Sequence, residues 1–352
     1  MRTCTSLKSR PAATSGKTTS SDWRTSMGAC SFWSRILLPA ALVLGGCERQ
    51  EDLSMLPGSE LSAESFERLN MDWRERRLAR LTEPHGWLSL AGLVTLRPGS
   101  LTTVGSDPGN DMVVSAGPAR WGSIRVDDDG RVRFDVAAAG EVRIDGEDVA
   151  SAEMTLGGEG DPVHVEADGI RIHLVSPGGQ LALRVRDPRA STRTEFVGLE
   201  YYPLDPDWRV DAEFIPHPAG STMQVANVMG QLIEEPNPGI ARFVHEGKTL
   251  SLEAVLEDDK LFFIFADRTS GRETYGLGRF LYAELPRDGR VVLDFNQAYN
   301  PPCAFNAYTT CPLPPQSNRV DAWIRAGELQ YSGMPGLEKP RALPADAALS
   351  GF

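Results

Sequence analysis

Asp267 and Asp294 each follow an apolar run, "LFFIFA" and "RVVL", and each opens a polar loop. Carboxylates at strand ends emerge where loops gather sites. If the two strands are neighbours, two such groups can divide into an acid and a base. They can equally share a hard cation with asparagine oxygens. The first loop, "DRTSGRETYGLGRF", adds Tyr275 and Arg279, the latter able to clamp a carboxylate or phosphate through two parallel N–H bonds. The second adds Asn296, Tyr299 and Asn300. Against this stands a structural reading. Asp and Asn at strand ends cap turns through their own backbone, and Arg279 can pair with Asp267 as a buried ion pair.

Cysteine chemistry is narrower. A Cys303 nucleophile needs a base, and none of His85, His164, His173, His217 and His245 has a motif-like setting. Cys303 and Cys311, eight apart with no nearby His, match no zinc spacing, so no metal is expected there. In an oxidising compartment they form a disulfide that stiffens the loop between them. "GLGRF" lacks the strand–loop–helix setting of a phosphate loop, and the sequence calls for no cofactor. The 293–319 segment also holds five prolines. Each fixes φ, which lowers the ordering cost of binding, and either an Asn-Pro or a Cys-Pro bond is a candidate cis bond. The plainer reading is that Tyr299, Phe305 and Tyr308 cover one end of the domain.

The elements that position these groups are mostly strands. "SAESFERLNMDWRERRLARL" is the exception: Phe66, Leu69 and Trp73 fall at helical spacing, with Met71, Leu78 and Leu81 widening the stripe. Ser62 is a candidate N-cap, Pro84 ends the run, and Arg74, Arg76, Arg77 and Arg80 read as a solvated face. From Trp87 to Val185, short apolar or alternating runs ("LTTVG", "SIRVD", "RVRFDV", "IRIHLV", "LALRV") recur between turn signals, the rhythm of an antiparallel sandwich. After residue 186 comes a loop-rich connector, "RDPRASTRTEFVGLEYYPLDPDWRVDAEF", then further strand-like runs. "LFFIFA" is unbroken enough to be a central strand buried on both faces.

At the N-terminus, "SRILLPAALVLGGC" places a basic residue before an apolar stretch and ends in small residues and Cys47. The stretch is too short to span a bilayer and has the order of a secretory signal. "LGGC" resembles a bacterial lipobox, which implies lipidation of Cys47 and a body anchored to the bacterial cell envelope, in the periplasm or on the outer face. Met27 lies one signal length upstream, and residues 1–26 fit no part of a signal. Residues 1–46 hold six of the 36 basic residues and one of the 48 acidic ones, leaving 30 against 47, a net charge of −17. Such a field repels nucleic acid, so the expected partners are a lipid anchor, a glycan or an envelope protein.

Two resemblances sharpen this. Val104–Asp107, Asn110–Val114, "VRIDG" from Val142 and "GIRIHLV" together resemble a forkhead-associated sandwich. Such domains often bind phosphothreonine. Here Ser106 stands where their Arg usually does, and "GPARWGS" replaces the expected Ser and His, so the resemblance implies a structural or docking module. "HGWLSLAGLVTLRPG", "TVGSDPGNDMVV", "DRTSGRETYGLGRFLYA" and "LDFNQAYNPPCAFNAYTTCPLPPQSNRV" look like the DUF1684 family of bacterial proteins, whose activity is not established. Asn306 departs from the small polar residue, commonly Thr, that its members carry.

The expected architecture is therefore all-β. Residues 1–46 are leader and signal, 47–60 a tether, and 61–185 an amphipathic helix plus forkhead-associated-like sandwich. Residues 186–333 form a β-barrel-like C-terminal domain and 334–352 a flexible tail. The expected function is binding of a glycan, small molecule or partner by the C-terminal domain. The alternative is a hydrolase built on Asp294 and Asp267.

Overall fold

The structure is a computed structural model that describes residues 55–157 and 161–333. The leader, Cys47, the first part of the tether and the 334–352 tail lie outside the described residues.

Helix α1 (Ala63–Thr82) starts where Ser62 accepts a hydrogen bond from the Ser65 amide. Its buried residues are Phe66, Asn70, Arg77 and Leu81, so the inward stripe is half polar. Arg77 is therefore not on the solvated face that the basic cluster suggests, whereas Arg76 and Arg80 are exposed. Met71 and Leu78, expected to widen the apolar stripe, face solvent.

Ten strands follow: β1 (Leu90–Thr95), β2 (Leu101–Gly105), β3 (Met112–Val113), β4 (Gly122–Val126), β5 (Val132–Val136), β6 (Arg143–Ile144), β7 (Ser151–Met154), β8 (His164–Ala167), β9 (Ile170–Val175) and β10 (Ala182–Arg186). They form two five-stranded sheets, ordered β1-β10-β9-β8-β6 and β3-β2-β4-β5-β7. Their facing side chains, among them Trp121, Phe134, Ile124, Ile172 and Leu183, make one core. Alternation puts Leu183 and Val185 into that core and sends Arg184 and Arg186 to the opposite face. Gly105 and Gly122 are demanded by close approach: a Cβ on either would lie 2.2 Å from a backbone oxygen, of Ala119 and Asp135 respectively.

The second region contains β11 (Arg209–Pro216), β12 (Thr222–Ala226), β13 (Leu232–Pro236), β14 (Gly239–His245), β15 (Lys248–Glu253), β16 (Val255–Glu257), β17 (Lys260–Phe265), β18 (Arg279–Glu284) and β19 (Arg290–Asp294). They pair as a four-stranded sheet β15-β14-β11-β19, a three-stranded sheet β16-β17-β18 and the β12-β13 hairpin. The all-β character is as expected, but the barrel-like closure is not: the sheets pack around Phe243, Phe263, Phe265 and Phe295 and keep their edges. β17 is central and buried on both faces, as its unbroken apolar run requires.

Helix, sandwich and second region interlock. Arg186 donates to His85 O and Gly86 O in the loop before β1, Asn306 Nδ2 donates to Leu90 O, and Asn70 Nδ2 reaches Asp294 Oδ2 at 3.3 Å. The end of the tether is tied down too, since Arg209 Nε donates to Leu56 O at 2.7 Å. Among the described residues, no helix is long and apolar enough to cross a membrane.

Candidate functional site

The sequence-predicted groups fall into separate networks. Asp294 ends β19 and is buried. Its Oδ1 accepts from the Asn296 amide and Nδ2, while Oδ2 pairs with Arg209 Nη1 at 2.7 Å and accepts from Asn70 and Gln297. Asn296 turns its remaining bonds on the Asp205 backbone, accepting from N and donating to O. Asp267 sits elsewhere. It accepts from Thr269, Ser270 and the Ile324 amide, and its Oδ1 lies 3.6 Å from Arg279 Nη2. Arg279 is fully buried and donates to Ile324 O and Ala326 O, holding the 324–326 segment in place. The two carboxylates share no hydrogen-bond partner, and of the two only Asp294 lines a cavity.

Asn300 donates from its amide to Glu328 Oε2 and from Nδ2 to Leu329 O, leaving Oδ1 buried and unpaired. Tyr275 packs beside Phe305 and Tyr331, and burial raises its pKa. Cys303 and Cys311 form a disulfide. Among the described residues no cluster of His, Cys, Asp or Glu is arranged to hold a metal ion.

Tyr299 is the predicted residue that leads to a site. A two-way bond pair with the Phe280 backbone fixes it beside β18. Its ring meets Trp73 and Trp87 with centroids 6.2 and 6.3 Å away, and Tyr282 stacks on it with centroids 6.4 Å apart. The Arg77 guanidinium lies 4.6 Å from the ring centroid. Arg77 in turn is held by Glu328 Oε1 at 2.8 Å and by Asn300 O. Burial pushes the phenols of Tyr299 and Tyr282 well above their ordinary range, so both remain neutral.

This aromatic group stands between two cavities. The first, of about 390 Å3, is walled by Phe262, Phe280 and Tyr282 on one side and by Trp87, Arg184 and Arg186 on another; Pro302 and Thr309–Pro312 close it. The proline-braced loop thus does face a cavity, and its position is fixed by the disulfide and by Leu313 N donating to Ala226 O. The second cavity, of about 810 Å3, runs under α1 and places Arg76, Arg77 and Arg80 across from Glu257, Asp258, Asp259 and Glu284, with Asp294 among its walls. Trp87, Arg186, Glu257, Tyr282 and Tyr299 line both, so the two cavities adjoin along a shared wall and together form the groove considered below. Asp267, Arg279, Asn296, Asn300 and Tyr275 line neither.

Charge is uneven along the groove. Desolvation lowers the pKa of Arg184, and lowers that of Arg186 to about 10 with help from the neighbouring Arg184 and Arg171. His173, opposite Arg184 on β9, is pushed down to about 3 by burial, then by Arg186, His164 and Arg184, so it is neutral near pH 7. Facing them across the first cavity are Glu235, whose carboxyl is raised by burial and then by Glu257, and Glu257 itself, which accepts from Tyr282 Oη. Nothing in the sequence marks Arg184, Arg186, Trp87, Tyr282 and Glu235 as a group, because widely separated segments bring them together. Only the alternation in "LALRV" places Arg184 away from the sandwich core.

A family model described as "Protein of unknown function (DUF1684)" matches residues 194–329. The chain is similar to an uncharacterised protein of Haloarcula marismortui solved by solution NMR, with 34% identity, 39% of this chain and 78% of that chain covered, and a TM-score of 0.33. It is also similar to Rad53 1–466 in complex with AMP-PNP, at 11% identity, 56% and 46% coverage, and a TM-score of 0.17. No curated protein matches it.

Proposed function

We propose, for a chain that belongs to the DUF1684 family of proteins of unknown function, that it acts as a binding protein whose small-molecule or glycan ligand lies in the groove at Tyr299. The observation that supports this most directly is the aromatic wall. Trp87, Tyr282 and Tyr299 line both cavities, and they are backed by Phe262 and Phe280. Concave, largely apolar sites of about 300–1,000 Å3 with a few convergent polar groups are the usual form of ligand pockets, and the first cavity has that form. Aromatic faces suit the C–H faces of a sugar or the body of an organic acid. The rigid loop around the disulfide holds its side chains in place before the ligand arrives, which lowers the ordering cost. A hydrolytic role for Asp294 and Asp267 gains no support, because each is held in its own network.

The address proposed is the cell envelope, through lipidation of Cys47. It rests on the "SRILLPAALVLGGC" segment and fits an oxidised Cys303–Cys311 pair.

A thermal-shift and tryptophan-fluorescence screen against glycan fragments and small organic acids tests the binding reading. Hits are expected to raise the unfolding temperature, to change the emission of Trp87, and to be lost in Tyr282→Ala. A broad library that moves neither signal in the wild-type protein removes the proposal. Fatty-acid labelling that is lost in Cys47→Ala is the expected result for the anchor; an unlabelled mature chain overturns it.

A further inference from the structure

Arg184 is a cation for which the described residues supply no hydrogen-bond partner at Nε. It sits mid-strand on β10, with that Nε shut off from solvent. Burial lowers its pKa, and no carboxylate acts to raise it again. The acid on the same face of the sheet, Glu166, is taken by Arg171 at 2.7 Å, and Glu235 and Glu257 lie across the first cavity. Arg186, two residues along, already donates to His85 O and Gly86 O. His173, across the ladder, is neutral near pH 7. Buried charges in folded proteins are paired or coordinated as a rule, and an arginine fork matches an oxyanion through two parallel bonds.

That guanidinium lines the first cavity, with Phe262, Phe280 and Tyr282 on the other wall and Glu235 and Glu257 also among the lining residues. We infer that Arg184 is the receptor for the oxyanion of a small organic acid, a carboxylate or phosphate whose apolar or sugar body lies on those rings. This deepens the binding reading and rests on it. It narrows the ligand class from any glycan or metabolite to anionic ones, and it assigns the recognition to the sandwich rather than to the 293–319 loop.

Three compounds with one ring, benzoate, phenyl phosphate and benzyl alcohol, separate the possibilities. They would be titrated into the full chain while the arginine Nε–H and tryptophan Nε1–H resonances are followed by 15N–1H NMR; the Arg184 resonance is the one missing from Arg184→Gln. At least one anion is expected to shift the Arg184 signal, with the one that does so identifying carboxylate or phosphate ester as the source. Affinity should fall by about ten- to a hundredfold in Arg184→Gln, the usual loss for a charge-assisted bond, and only partly in Arg184→Lys, which keeps the charge without the fork. Benzyl alcohol should move the Trp87 signal and leave Arg184 still. If the alcohol moves Trp87 but neither anion moves Arg184, the oxyanion role is overturned and the groove reading stands. If none of the three perturbs either signal, both fall. A folded spectrum of Arg184→Gln confirms that any loss of binding is local.

Discussion

At the scale of residues, Arg77 and Glu328 show how charge is used inside this protein. Both side chains are buried, bonded at 2.8 Å, and each has a second duty: Arg77 to Asn300 O and the Tyr299 ring, Glu328 to the Asn300 amide. Removing one partner strands the other, which costs about 3–5 kcal/mol, whereas removing both together costs less. Glu328→Leu should therefore lower unfolding free energy by about that amount in urea titrations, and Arg77→Met/Glu328→Leu should recover part of it. A double variant no better than the single one would mean that the stranded Asn300 amide, not the broken ion pair, causes most of the loss. His173 offers a second test. Its folded pKa of about 3 lies below the usual unfolded value near 6.5, so the unfolded chain binds the extra proton between those limits. The stability associated with neutral His173 is complete above pH 6.5 and is lost as pH falls toward 3, with a slope of at most about 1.4 kcal/mol per pH unit. His173→Gln should flatten the stability profile in that window relative to wild type; identical profiles would exclude the effect.

Among the elements, α1 separates what a sequence reveals from what it hides. Its start is legible, because Ser62 has the chemistry of a cap and Phe66 and Leu81 mark an inward stripe. Asn70 and Arg77 on that stripe are not legible. Polar residues read as solvent-facing unless their partners are known, and those partners, Asp294 and Glu328, lie 224 and 251 residues away. The same reason hides the separation of Asp267 from Asp294: strand ends predict polar emergence, but not which backbone amide each carboxylate will meet. β11 reads as connector because "RVDAEFIP" alternates charge with only Ala212 and Phe214 as buried apolar positions. By contrast, β17 declares itself through five successive buried residues. The turn before Glu328 can be tested directly. Gly327 has φ near +84° and leaves no room for a Cβ, which would lie 2.4 Å from Ala298 O. Gly327→Ala should displace the segment carrying Glu328 and destabilise by about 1 kcal/mol or more, with loss of ligand-induced shifts at Trp87. Normal stability and normal shifts would show that the segment can relax.

Across the whole molecule, the groove is assembled from α1, the loop at Trp87, β10 and the second region. A fragment starting at Arg186 would lack Asn70, Arg77, Trp73 and Trp87. It should therefore lose cooperative unfolding, and a peptide spanning residues 62–83 added in trans should restore part of it. Cooperative melting of the fragment alone would show that the second region is self-sufficient.

The cystine between Cys303 and Cys311 lies within the groove wall, with Cys311 among the lining residues and Thr309 Oγ1 against Cys303 Sγ. Closing so short a loop contributes about 2–3 kcal/mol, and here that stiffening falls on the wall of the cavity proposed to bind ligand. Production in a glutathione-rich cytosol would deliver two thiols and a looser rim, so measured affinities should depend on the thiol state of the preparation. Recognition by this protein would then be confined, by its own covalent chemistry, to places where thiols do not survive.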